Sequence, residues 1–120
     1  MSGFIYCLYS SEDGVPRYVG RTNEKVSHRF KQHVTSALEQ ESGPVYDWIW
    51  SVWRDGHDIG VHTLQMGVVP KDMAMYEQYW IEQFAGLTNV LGNTGRQEHS
   101  EVAKQVIAGL SALLAPPKAR

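Results

Sequence analysis

The chain has 120 residues, which is enough for one domain with a hydrophobic core. Its 42% hydrophobic and 20% charged residues exclude a disordered chain, and its single cysteine excludes an internal disulfide. The N-terminus has neither a basic region nor a cleavage site, and its apolar run is too short to cross a membrane. We therefore expect a soluble, cytoplasmic protein that needs no oxidising compartment.

A β-hairpin is predicted at the start of the chain. Residues 3–10 are rich in aromatic and β-branched types and are too few for a helix, so they indicate a strand. Asp13 and Gly14 favour a turn, and residues 17–21 form the returning strand. Period-2 alternation places three side chains on one face of the first strand: Phe4, Tyr6 and Leu8.

Two helices are predicted next. The first has apolar residues at helical spacing up to about Leu38, with Thr22 or Asn23 as its N-cap. The second, Val45 to Trp53, follows Pro44, which helices tolerate at their first position. Apolar residues cover more than half of the circumference of this aromatic helix 45–53, so it must be covered on two sides.

The remaining elements complete a small α+β domain. Residues 59–69 alternate in part and predict a third strand, and a helix begins at Pro70 to Asp72 and runs to Phe84. A last helix is expected from an N-cap at Ser100 to Ala115. The order β-β-α-α-β-α plus a C-terminal helix indicates a three-stranded antiparallel sheet flanked by helices.

The last helix carries a continuous apolar stripe, which favours burial over exposure to water. We divide the chain into a main domain, 1–95, and a C-terminal helical extension, 96–120. We expect the extension to dock on the aromatic helix 45–53, whose second face needs cover. Homodimerisation through the same stripe, or binding of a protein partner through either helix, is the alternative.

Charge is distributed unevenly, although the net charge is only −2. Residues 16–35 contain five basic side chains and one acid, whereas residues 36–82 contain eight acids and two basic side chains. Such asymmetry can turn one face toward phosphates, although ordinary solvated charges explain it as well. The candidate nucleic-acid contacts are Arg17, Arg21, Lys25 and Lys31.

Glu77 interrupts the apolar face of the third predicted helix. The apolar positions around it are Met73, Tyr76, Trp80, Ile81 and Phe84. A carboxylate held on a packed face must be paired, protonated or bound to a metal, because its burial alone is costly. An arginine partner, or a place at the edge of the stripe, are the alternatives to metal binding.

Four more side chains bear chemistry that suits a phosphodiester. Arg29 and His33 lie one helical turn apart, where arginine can hold phosphate oxygens and histidine can move a proton near neutral pH. Each could equally be a solvated helix residue. Tyr6 and Tyr18 stand on the two hairpin strands, where tyrosines usually serve packing. Zinc-ligand spacings, phosphate loops and serine elbows do not occur in the sequence.

Taken together, these positions resemble the GIY-YIG nuclease family. Phe4-Ile5-Tyr6 is similar to the first signature, with Phe for Gly, and Tyr18-Val19-Gly20 to the second, with Val for Ile. Residues 29–33 resemble the family's R-x-x-x-H helix, and residues 77–81 its E-x-x-W-I helix. Residues 87–90 resemble its late L-L-N loop. The five matches stand in order along the chain, which makes the resemblance specific.

The resemblance implies a β-β-α-β-α nuclease domain that cuts DNA with one divalent ion, Mg²⁺ or Mn²⁺. Glu77 would bind the metal, and Tyr6 would act as general base on the attacking water, helped by Tyr18 and His33. A free tyrosine has a pKa near ~10, so this role requires a strong downward shift of the Tyr6 pKa.

The same resemblance assigns Arg29 to the scissile phosphate and Asn89 to orientation of the site or phosphate by hydrogen bonding. Asn93 is the alternative asparagine. Residues 95–107 also faintly resemble DNA-binding modules appended to homing nucleases. The alternative to a nuclease is a non-catalytic nucleic-acid-binding or partner-recruiting module on the same fold.

Overall fold

The sheet has three antiparallel strands in the order β2-β1-β3. They are β1 (Gly3–Ser10), β2 (Pro16–Thr22) and β3 (Ile59–Val68). The structure is a computed structural model that describes residues 2–89 and 97–114. Because β1 is central, both of its edges are hydrogen-bonded to neighbouring strands, and Tyr6 and Leu8 share one face of it as predicted.

In the part of the chain that the structure describes, four α-helices flank the sheet and confirm the predicted α+β class. They are α1 (Val26–Leu38), α2 (Pro44–Arg54), α3 (Met73–Ile81) and α4 (Glu101–Leu114), with a short 3₁₀ turn, Pro70–Asp72, before α3. The order β-β-α-α-β-α-α is the predicted one. Within the described stretches, no helix combines the length and apolar character needed to cross a lipid bilayer.

Each face of the sheet packs against one pair of helices. The face toward α1 and α2 buries Tyr6, Leu8, Ala37, Ile49, Val52 and Ile59. The opposite face, toward α3 and α4, buries Ile5, Cys7, Val19, Val68, Met73, Ile81, Phe84, Leu87 and Ala103. Alternating side chains of β1 therefore enter two separate apolar clusters, which explains why its residues 5–8 are all buried.

Two helix ends differ from the prediction. α1 begins at Val26, and the Thr22 hydroxyl does not cap it but accepts a hydrogen bond from the backbone N–H of Glu24 (3.0 Å) in the turn before it. α3 ends at Ile81, not at Phe84. Phe84 is still fully buried, but in the segment that leaves the helix and brings residues 87–89 to β2. The position of Phe84 at helical spacing from the apolar residues of α3 therefore does not reflect a place in that helix.

The predicted docking of the C-terminal extension on the aromatic helix 45–53 is wrong. α4 packs on the other side of the sheet, where Ala103 is buried with the α3 cluster and Val106 and Ile107 pack against it. The Ser111 hydroxyl donates to the backbone oxygen of Asp13 (2.9 Å) at the hairpin turn. The open face of the sheet covers part of the stripe on α4: Leu110 is buried, whereas Leu113 stays 80% exposed.

Other features of these segments follow the prediction. The Ser100 hydroxyl accepts a hydrogen bond from the N–H of Ala103 (3.1 Å), as expected of an N-cap. Gly14 takes the positive φ of +73° that its turn requires. On α2, Trp50 stays 40% exposed because α4 does not cover it. Three predictions lie outside the described residues: the alternative asparagine Asn93, the helix end at Ala115 and the domain boundary at 95/96.

Candidate active site

Tyr6 and His33 form a buried hydrogen-bonded pair between β1 and α1. The Tyr6 hydroxyl lies 2.7 Å from Nε2 of His33, and the two residues are 1% and 2% exposed. The other ring nitrogen of His33, Nδ1, is buried and has no hydrogen-bond partner among the described residues. Which of the two atoms donates in this hydrogen bond depends on the tautomer of His33.

Gly20 makes room for the Tyr6 ring. The two residues are direct partners across β1 and β2. A Cβ on residue 20 would lie 2.5 Å from the Tyr6 hydroxyl oxygen and 2.9 Å from Cε2 of Tyr18. Such distances are too short for any side chain, so glycine is required here for close approach and not for a turn.

Tyr18 completes a cluster of three rings. Its ring centroid lies 5.2 Å from that of His33 in an edge-on arrangement and 6.3 Å from that of Tyr6. The Tyr6 and His33 centroids are 5.8 Å apart. The packing interpretation of these tyrosines is therefore correct in part, since both rings contribute to the cluster beneath α1.

Burial keeps the Tyr6–His33 pair neutral. It raises the pKa of Tyr6, an effect that the nearby tyrosine Tyr18 increases and the Arg29 guanidinium reduces. Burial, with a smaller contribution from Arg29, lowers the pKa of His33 to about 4. The strong downward shift that a tyrosine base requires is thus not found in the protein alone, where the shift has the opposite direction. Desolvation outweighs the attraction of Arg29.

Arg29 and Glu77 lie within electrostatic reach of both tyrosines. Burial raises the pKa of Tyr18, the Arg29 guanidinium lowers it, and the Glu77 carboxylate raises it. The same two charges act on Tyr6 with the same signs. Arg29 is half-buried and donates a hydrogen bond to Oε1 of Gln32 (3.1 Å). Four of the predicted residues, Tyr6, Tyr18, Arg29 and His33, are therefore brought together, with Glu77 facing them.

Among the described residues, Glu77 has one basic side chain within ion-pair distance, Arg21. Oε1 of Glu77 lies 3.9 Å from Nε of Arg21, and the two side chains are 26% and 46% exposed. Partial burial raises the pKa of the Glu77 carboxyl, and Arg21 counteracts this shift. The arginine partner considered as an alternative to metal binding is therefore present, but at a distance too long for a hydrogen bond.

A single-carboxylate metal site is compatible with these residues. Across residues 2–89 and 97–114, there is no group of three or more His, Cys, Asp or Glu side chains placed to share a metal ion. Mg²⁺ in nucleotide and nucleic-acid enzymes often has only one or two carboxylate ligands and takes the rest from water and phosphate. Glu77 is partly exposed and loosely paired, so it fits such a role.

Asn89 holds the strand that carries Tyr18. Its amide oxygen accepts a hydrogen bond from the N–H of Val19 (3.0 Å), and its amide nitrogen donates to the oxygen of Val19 (2.8 Å). Thr88 makes similar bonds to the backbone oxygen of Arg17, at 2.6 Å from its N–H and 2.7 Å from its hydroxyl. Asn89 therefore acts as a positioning residue, since its amide binds the outer edge of β2.

The four basic residues predicted to contact nucleic acid have different surroundings. Arg17 donates to the backbone oxygen of Gly86 (3.3 Å), whereas Arg21 faces Glu77. Lys25 and Lys31 are exposed at the start and on the surface of α1. Of the four, only Arg21 is an immediate neighbour of the candidate metal ligand.

Comparison of the chain with protein-family models, with curated proteins and with solved structures gave no match. Function is therefore inferred from the side chains of the site.

Proposed function

We propose that this protein is a divalent-metal-dependent DNA endonuclease of the GIY-YIG type. The observation that carries the proposal is the grouping of Tyr6, Tyr18 and His33 in one ring cluster, with Arg29 and Glu77 in electrostatic reach. An acid–base pair, a cation for phosphate and a carboxylate for a metal ion are the parts that phosphodiester hydrolysis needs.

In the proposed reaction, the Tyr6 oxygen takes a proton from the attacking water while its own proton passes to Nε2 of His33. The 2.7 Å separation allows this transfer without movement of either ring. Both groups are neutral at the start, so the pair needs no free tyrosinate. Arg29 would hold the scissile phosphate and stabilise the charge that develops on it.

Glu77 would hold one Mg²⁺ or Mn²⁺ ion, which when bound polarises the phosphate and the leaving oxygen. The carboxylate is partly shielded from water, and this strengthens its attraction for a cation. Tyr18 would limit the water that reaches the Tyr6 hydroxyl, because its ring packs beside it. Asn89 would act indirectly by fixing Val19 between Tyr18 and Gly20.

Nicking of supercoiled plasmid with Mg²⁺ or Mn²⁺ tests this proposal. We expect wild-type protein to nick the plasmid between about pH 6 and about pH 9, and Glu77→Gln to be slower by at least about a hundredfold. Glu82→Gln is the matched control, because Glu82 follows the same helix but is exposed and accepts a hydrogen bond from Gln78. If wild type and Glu77→Gln leave the plasmid equally intact, the proposal is wrong.

A second candidate is a nucleic-acid-binding module without activity. The raised pKa of Tyr6 favours it, since burial shifts this group away from the ionised form of a base. This candidate predicts DNA binding in the presence of EDTA that Glu77→Gln does not weaken, together with no nicking under any metal. The nicking assay therefore separates the candidates.

A further inference from the structure

The two arginines near the site interact with different groups. Arg29 acts on the tyrosine cluster, whereas Arg21 acts on Glu77 and is the only cationic side chain of the described residues within ion-pair distance of it. The Arg21–Glu77 distance of 3.9 Å exceeds that of a charge-assisted hydrogen bond. Arg21 therefore neutralises Glu77 without being bound tightly to it.

A groove of about 420 Å³ lies beside Arg21. Its lining consists of Arg21, Thr22, Asn23, Pro70 and Met73. Arginine binds phosphate oxygens in a bidentate manner, which gives it more hydrogen bonds than the loose contact with Glu77. A phosphate of a bound strand in this groove would thus compete with Glu77 for the guanidinium.

We propose that Arg21 is the resident counter-ion of Glu77 in the free protein and releases this carboxylate to a divalent cation when a DNA phosphate enters the groove. The inference rests on the proposed metal-dependent activity and adds that metal binding and DNA binding are coupled through Arg21. Metal and DNA then strengthen each other's binding, because each removes the competitor of the other. By thermodynamic linkage the two effects are equal in size.

The geometry limits the size of the effect. Both side chains are partly exposed, and ion pairs of this kind shift an equilibrium by at most about fivefold. We therefore expect Arg21→Gln to bind Mn²⁺ about two- to fivefold more tightly than wild type in the absence of DNA. Arg21→Lys retains the charge and should stay close to wild type.

The first measurement is binding of Mn²⁺ alone to the full chain, followed by the electron paramagnetic resonance signal of the free ion. Arg54→Gln is the matched control, since it removes the same charge from an exposed site on α2, on the other side of the sheet. Arg21→Gln should tighten Mn²⁺ binding, Arg54→Gln should not, and Glu77→Gln should remove the site. Equal affinities of Arg21→Gln and Arg54→Gln would overturn the inference and leave the proposed function intact.

The second measurement is the affinity for a labelled DNA duplex in EDTA, by fluorescence anisotropy, where no cleavage occurs. Glu77→Gln should tighten DNA binding because it frees Arg21, and Glu82→Gln should do so less. The gain from Glu77→Gln should vanish in the Arg21→Gln background, as a double-mutant cycle shows. A gain that persists there would contradict the inference. Mn²⁺ binding that Glu77→Gln does not change would instead refute the metal site and the proposed function with it.

Discussion

Acidification should destabilise the fold through His33, which is 2% exposed. Burial lowers its pKa from the ordinary 6.5 to about 4, so the unfolded chain takes up the proton first as the pH falls. The stabilisation is complete above pH 6.5 and is lost as the pH falls toward about 4. Since each unit of pKa corresponds to about 1.4 kcal/mol, the full loss in free energy of unfolding is about 3 kcal/mol.

Urea unfolding at about pH 7.5 and about pH 4.5, followed by circular dichroism, measures this loss. We compare wild type with His33→Gln and take the fall in free energy of unfolding between the two pH values for each protein. Burial also lowers the pKa of His62, which is half-buried on β3, but His62 acts equally in both proteins. The difference between the two falls therefore reports His33 alone, and it should be roughly 2 to 3 kcal/mol.

The control is His57→Gln, which removes a histidine outside the ring cluster and should keep the full wild-type fall. An equal fall in wild type and His33→Gln would refute the reasoning. In that case His33 is not the buried neutral partner of Tyr6, and the proton transfer proposed between them loses its basis.

Two further substitutions test how the site is built. Gly20→Ala would force a methyl group to within 2.5 Å of the Tyr6 hydroxyl oxygen; we expect a loss of about 1 to 3 kcal/mol in a thermal melt, and an unchanged melting temperature would contradict the contact. Asn89→Leu removes both hydrogen bonds to Val19 and should cost about 1 to 3 kcal/mol, with faster hydrogen exchange at the Val19 amide. Exchange at wild-type rates there would show that Asn89 does not hold β2.

Local patterns were sufficient to predict the elements of this fold. Alternation in residues 3–10 and the Asp13-Gly14 turn predicted the hairpin, and helical spacing predicted α1 and α2 to within a few residues. The hydroxyl of Ser100 was a correct N-cap because capping depends only on neighbours in the chain. Such features are local, because all the groups that take part in them are close together in the sequence.

Contacts between distant segments could not be predicted in the same way. The stripe on α4 indicates burial, but it does not specify which surface covers it, and the sheet face competed with the aromatic helix 45–53. The direction of the Tyr6 pKa shift depends on burial depth, which no spacing reveals. The role of Asn89 depends on a partner seventy positions away in the chain, the backbone of Val19.

The contact between Tyr6 and Gly20 has a consequence for protein engineering. The tyrosine ring occupies the space of the side chain that residue 20 lacks, so two motifs that are separate in the sequence form one packing unit across the strands. A graft of this site onto another hairpin would therefore have to transfer the strand register along with the two residues. A host hairpin shifted by one position would present the ring to a side chain instead of to the gap, and the transplanted tyrosine would be displaced before any chemistry could be tested.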